Sequence, residues 1–333
     1  MHSRSQNAKI KLIDESISKV DLNLSGLTVL TELGSDDYML LPLIAKLGGA
    51  DRVIAWTRDS RYGTADDNEK NFYAYVKNIG EVGAGIEIRK NKRSTSDVAA
   101  ANIITNSGMI RPINADLLKS ASSRKLVIPL MYDSWEFRNT DIDLDYCGQR
   151  NIKVCGVNEN DANFPIFQYV RSLAIKMALN AGYEILENKI LVWSGDSFGQ
   201  EVASAFLGMG AANVFLTNDW QVARNLLGEI DFIYICDYRE NRPYFEAKNL
   251  FPFSEIADIA PHIGFVHLYG HIEVQKVTQN GFSIYPESDG YPQAMTFTLA
   301  DAGVVPLVRL ITAGLRAAQE IIHNEPLRFA QPI

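Results

Sequence analysis

The chain has 333 residues, of which 47% are hydrophobic, and a formal net charge of −8. That length suggests two domains, because single cores rarely grow past about 250–300 residues. The acidic balance argues against a nucleic-acid surface, which needs clustered Lys and Arg. The densest basic run, Arg89 to Arg93 (RKNKR), reads as a solvated loop.

Cys147, Cys155 and Cys236 are odd in number and form no C-x-x-C pair, as in a reduced chain without disulfides. No apolar run reaches the roughly 18 residues of a membrane span. The opening MHSRSQNAK lacks an apolar signal core. A cytoplasmic protein without nucleic-acid or membrane partners is expected.

In chain order, strand signals fall at 27–32 (LTVLTE), 52–57 (RVIAWT), 86–89, 102–106 (NIITN), 126–131 (LVIPLM) and 152–157 (IKVCGV). Helical patterns lie between them at 38–47, 68–78, after Ser96-Asp97, and at 115–120. A long helix over 161–186 enters near Pro165 and ends around Gly182. Further strands are expected at 190–193, 213–217, 232–237, 264–269 and 283–285, with a helix-like stretch at 254–259. An apolar helix at 302–323 closes the chain, and residues after Glu325 read as a tail. Strands alternating with helices imply parallel sheets covered on both faces.

Residues 189–219 (KILVWSGDSFGQEVASAFLGMGAANVFLTND) read as strand, glycine turn, helix and strand, with an acid at the end. A G-x-G-x-x-G turn lets backbone approach a pyrophosphate and aims a helix N-terminus at its charge. An acid about 20 residues on takes the ribose hydroxyls. Gly199 fits the third glycine and Asp219 the acid, whereas Ser194 and Asp196 stand at the first two glycine positions, with Gly195 between them. Asp196 would repel phosphates unless it points away or binds a metal. The candidate dinucleotide contacts are Gly195, Ser197, Phe198, Gly199 and Asp219; the plain alternative is an α/β turn whose glycines serve packing. Asp219 favours NAD, because a carboxylate repels a 2′-phosphate; NADP is the other possibility.

Three runs set this unit in a wider pattern: ANIITNSGMIRPINADLLKSASSRKLVIPL, DIDLDYCGQRNIKVCGVN and KILVWSGDSFGQEVA. In this order, from about residue 101 to 285, the chain resembles the D-2-hydroxyacid dehydrogenases, the superfamily of formate and glycerate dehydrogenases. The resemblance implies two parallel-sheet α/β domains, Rossmann- and flavodoxin-like, with an interdomain cleft. Residues 1–160 plus 302–333 would be the flavodoxin-like substrate domain, and 161–301 the Rossmann dinucleotide-binding domain. A homodimer is implied by the same analogy.

The family's chemistry uses an Arg for the substrate carboxylate, a His as acid or base, and a Glu that tunes the His. Where the Arg should follow the strand at 264–268, this chain has His267-Leu268-Tyr269-Gly270-His271. Glu287 falls near the place of the Glu, and the stretch MTFTLADAGVVP, where the His should open, has none. YDSWEFR replaces the family's glycine-rich carboxylate-binding loop. The resemblance therefore implies a divergent member without the usual Arg and His.

The candidate catalytic residues are His267, His271 and Glu287, since open α/β sheets place ligands at carboxyl strand ends and His titrates near neutral pH. A metal at H-x-x-x-H needs both histidines on one helix face, which an apolar strand and Gly270 disfavour, so no metal is expected. Polar clusters also follow other strands: Arg58 to Gly63, Asp133 to Arg138, Asn158 to Asn160, and Arg239 to Arg242. Trp135, Arg138 and Arg239 suit an anionic small-molecule substrate, because guanidinium forks pair with carboxylate or phosphate. Residues 29–59 have a methyltransferase-like outline, but without its Gly-x-Gly they read as an ordinary βαβ unit.

The resulting expectation is an NAD(P)-binding oxidoreductase-like enzyme acting on a small anionic metabolite. The alternatives are a non-redox lyase, isomerase or transferase on the same scaffold, or a catalytically silent binding protein.

Overall fold

The computed structural model describes residues 5–77, 85–121, 126–245 and 250–333. The chain divides into two compact units, Met1–Phe167 with Gly303–Ile333, and Gln168–Ala302. Each is a mixed α/β layer structure built on a sheet of mainly parallel strands.

In the first unit the strands are β1 (Thr28–Glu32), β2 (Arg52–Thr57), β3 (Ile86–Lys90), β4 (Ile103–Ile104), β5 (Val127–Pro129) and β6 (Lys153–Val157). They are apolar because helices cover both faces of a parallel sheet: Val29, Leu30, Val53, Ile54, Ile103 and Ile104 are all fully buried. Their order is 3-2-1-4-5-6, the arrangement of doubly wound dinucleotide-binding sheets, with the switch point between β1 and β4.

The C-terminal residues, expected as a tail, instead form the strand Ala330–Pro332, paired antiparallel to β6 with Ala330 opposite Val157. Pro332 is tolerated there because the strand lies at an edge. Glu320, fully buried on the helix Val304–His323, fixes this strand by accepting the N–H groups of Arg328, Phe329 and Ala330 at 3.0, 3.0 and 2.9 Å. The same helix packs against β5, β6 and the N-terminal helix Gln6–Val20, which the sequence reading lacked.

In the second unit the strands are β7 (Lys189–Trp193), β8 (Asn213–Thr217), β9 (Phe232–Ile235), β10 (Gly264–His267) and β11 (Ile284–Tyr285), all parallel. Counted from β7, the order is 2-1-3-4-5, the flavodoxin-like arrangement. The two strand orders thus sit on the opposite units from those expected. The reason is local: after β8 the chain runs through the helix Trp220–Leu226 straight into β9, so no strand extends the edge beyond β8 among the described residues.

Helix limits differ from those periodicity suggested. The helix expected over 161–186 is a 3-10 turn, Phe167–Tyr169, followed by Val170–Asn180. The helix at 68–78 is Ala65–Lys77, and Asn78 lies outside the described residues. Among the described residues no helix is long and apolar enough to cross a membrane.

Candidate functional site

The glycine turn of the second unit lies between Trp193, the last residue of β7, and the helix Ser197–Gly208. Asp196 is the N-cap of that helix: its Oδ1 accepts the Phe198 N–H at 2.9 Å and the Ser194 hydroxyl at 2.9 Å. Its Oδ2 accepts the Tyr238 N–H at 2.8 Å. Asp237, just past β9, accepts the Gly195 N–H at 3.1 Å and lies 3.4 Å from the Asn218 side-chain nitrogen. Burial pushes the Asp196 carboxyl above its ordinary range, and the neighbouring Asp237 adds to the rise.

A pyrophosphate at this turn would need the N–H groups that Asp196 and Asp237 occupy. It would also bring its negative charge against two acidic side chains. The residues present therefore do not fit the phosphate end of a dinucleotide. Gly199 keeps the packing role of the third glycine: a Cβ there would lie 2.5 Å from the Ser194 Cβ and 2.7 Å from a Leu216 methyl. A Cβ on Gly195 would meet the Asn218 side-chain nitrogen at 2.2 Å. Ser197 is exposed in the first helical turn. Asp219, exposed after β8, caps the next helix by accepting the Gln221 N–H at 2.8 Å.

The carboxyl edge of this sheet is filled with aromatic rings. Phe198, Tyr238 and Tyr269 are buried, with centroids 4.8 Å (Phe198–Tyr269), 5.2 Å (Tyr238–Tyr269) and 6.0 Å (Phe198–Tyr238) apart. These separations suit offset and edge-on ring packing. His267 ends β10, fully buried, with Nε2 3.1 Å from the Pro286 carbonyl. Burial lowers its pKa to about 4, so the imidazole is neutral near pH 7 and Nε2 is the nitrogen assigned to donate. His271 is half-buried and lends its carbonyl to the Tyr244 N–H at 3.1 Å, while Glu287 is exposed. No hydrogen bond joins His267, His271 or Glu287 to one another among the described residues. Arg239 is exposed, and its N–H donates to Asp237 at 3.1 Å.

In the first unit Trp135 stands edge-on to Phe167 at 6.4 Å. Arg138 lies over the Tyr132 ring at 4.7 Å, with its Nε 3.4 Å from Asp141. Asp141 also accepts the Tyr132 hydroxyl at 2.9 Å and sits 3.2 Å from Arg111. Arg111 in turn donates to the Asn106 side chain at 2.8 Å and to its carbonyl at 2.7 Å. Arg138 is thus a member of an internal ion-pair network.

That network leads to a residue the sequence reading missed. Glu32 ends β1, is almost completely buried, and accepts the Met109 N–H at 2.7 Å. Burial raises its pKa, against the opposing pull of the Met109 bond and of the Arg111 charge. With Asn106 after β4, it marks the switch point of the first sheet. The available signal was an acid ending an apolar strand. A second acidic group, Asp133, Glu136 and Glu159, is buried after β5 and β6. Among the described residues no His, Cys, Asp or Glu cluster is arranged to hold a metal.

These features define a two-unit α/β protein built on mainly parallel sheets of seven and five strands. The chain matches no protein-family model and no curated protein. Among solved structures it is similar to a dipicolinate synthase chain from Bacillus halodurans, at 13% identity and a TM-score of 0.52, covering 92% of this chain and 100% of that one. NAD-dependent formate dehydrogenase from Staphylococcus aureus, in complex with NAD, matches at 11% identity and a TM-score of 0.51, over 91% and 98% of the two chains. The pyruvate reductase of Chlamydomonas reinhardtii matches at 10% and 0.53, again over 91% and 98%. At such identities the likeness is one of fold.

Proposed function

We propose that this chain is a non-redox enzyme on a dehydrogenase scaffold, acting on a small anionic metabolite without a dinucleotide in its glycine turn. The observation that carries this reading is the use of the Gly195 and Phe198 N–H groups by the Asp237 and Asp196 carboxyls. The neutral, enclosed His267 supports it, because a group taking protons from a substrate needs to reach it. Glu32 is the better acid–base candidate: a buried carboxyl with a raised pKa at a sheet switch point is where such a group is poised.

A second reading, an NAD(P)-binding oxidoreductase, is favoured by the close packing at Gly199 and by Asp219 at the end of β8. NADH fluorescence separates the two. The first reading expects no saturable change on titration into the protein; saturation in the micromolar range would move the assignment to the second.

A further inference from the structure

The first unit contains a cavity of about 370 Å³ at the carboxyl ends of β2 and β3. Its size falls at the small end of the range for small-molecule sites, roughly 300–1,000 Å³. Arg58, Lys92 and Arg93 line it, against Asp59 as the one acid among the described lining residues. The acid is turned to other use, since Asp59 accepts the Ala65 N–H at 2.8 Å at the start of a helix.

The two guanidiniums are fixed by backbone carbonyls and not by carboxylates among the described residues. Arg58 donates to the Gly108 carbonyl at 3.1 Å. Arg93 donates to the Ile110 carbonyl at 2.9 Å and also to that of Arg111. Carbonyls orient a guanidinium without neutralising it; Arg58 also acts electrostatically on the buried Glu32 carboxyl, pulling against its raised pKa. Burial lowers the Arg93 pKa and the Arg58 charge lowers it further, as two like charges near one another must. The floor is rigid: Asn91, at φ 51°, donates its N–H to the Thr57 carbonyl at 2.8 Å and accepts the Asp59 N–H at 3.1 Å. The buried Trp56 closes one wall, its indole N–H held by Asp97 at 3.0 Å.

We propose that this cavity binds the phosphate of a small phosphomonoester. A dianion offset by oriented guanidiniums and an ammonium forms the strong class of hydrogen bond, and a pocket of this volume leaves room for a sugar-sized body. The site lies wholly within the first unit and stands apart from the reading of the second. Failure of phosphate binding leaves the dinucleotide titration untouched, and the converse holds.

Calorimetric titration of the full chain with ribose 5-phosphate, with ribose as control, tests it. Ribose 5-phosphate should bind saturably, inorganic phosphate should compete, and ribose should give no signal. Arg58→Ala should weaken binding about tenfold or more. Because Arg58 also holds a loop carbonyl, Lys92→Glu at an exposed position is the second variant; it should weaken binding as strongly without lowering Tm. Absence of binding by both phosphate probes, equal binding of ribose, or undiminished binding by Lys92→Glu would each overturn the proposal.

Discussion

Asp237 accepts the backbone N–H of Gly195 at 3.1 Å, although 42 residues separate them. Together with Asp196, which accepts the Phe198 N–H in the first turn of the following helix, it sets two carboxyls against the donors of the glycine turn. The strand, glycine turn and helix are kept, while the Gly195 and Phe198 N–H donors are used by the chain's own carboxyls.

Asp196 should therefore matter to stability more than to ligand binding. Asp196→Ala removes a helix cap and leaves the buried Tyr238 N–H without its acceptor. The expected loss is about 2 kcal/mol, read as a lower urea midpoint. A midpoint equal to wild type would show that the cap carries no weight.

The two glycines of the turn should respond differently. Gly199→Ala forces a methyl against the Ser194 Cβ and Leu216, an overpacking cost of about 1–3 kcal/mol. Gly195→Ala meets only the end of the Asn218 side chain, which can swing aside, so thermal unfolding should barely change. Equal shifts in Tm for the two variants would contradict this packing account.

His267 sets a pH dependence. Its folded pKa is about 4 against an ordinary 6.5, so between those values the unfolded chain binds a proton that the folded chain does not. Its contribution is complete above pH 6.5 and is lost as pH falls toward 4, about 3 kcal/mol at most. Raised carboxyls such as Glu159 and Asp196 act in the opposite sense in the acid range, so the comparison is with His267→Gln, which keeps a donor for Pro286. Urea midpoints at pH 4.5 and pH 7 should differ more for wild type than for the variant; identical differences would remove His267 from the explanation.

Most strands were legible because a buried parallel strand is a short apolar run, as in RVIAWT and NVFLT, and those limits coincide with β2 and β8. The strand Ala330–Pro332 was not, because nothing in AQP marks it; it exists through pairing with β6 and the Glu320 carboxylate. The strand orders were equally hidden, since they depend on which edge each new strand joins. At the site, sequence spacing located the glycine turn and the acids. It could not reveal that Asp196 reaches Tyr238, that Arg138 leans on Asp141, or that His267 points into a closed interior. The Asp196 contact joins residues 42 apart, the Arg138 contact is local but set by loop conformation, and the burial of His267 is reported by no periodicity.

The central claim is that the glycine turn of the second unit does not take a dinucleotide. Isothermal titration of the wild-type protein with NAD+ and with NADP+ tests it most directly. The account predicts no saturable heat up to about 1 mM ligand, where even a weak site of about 4 kcal/mol would begin to fill. A one-to-one complex with a micromolar Kd, weakened by Gly199→Ala, would contradict it.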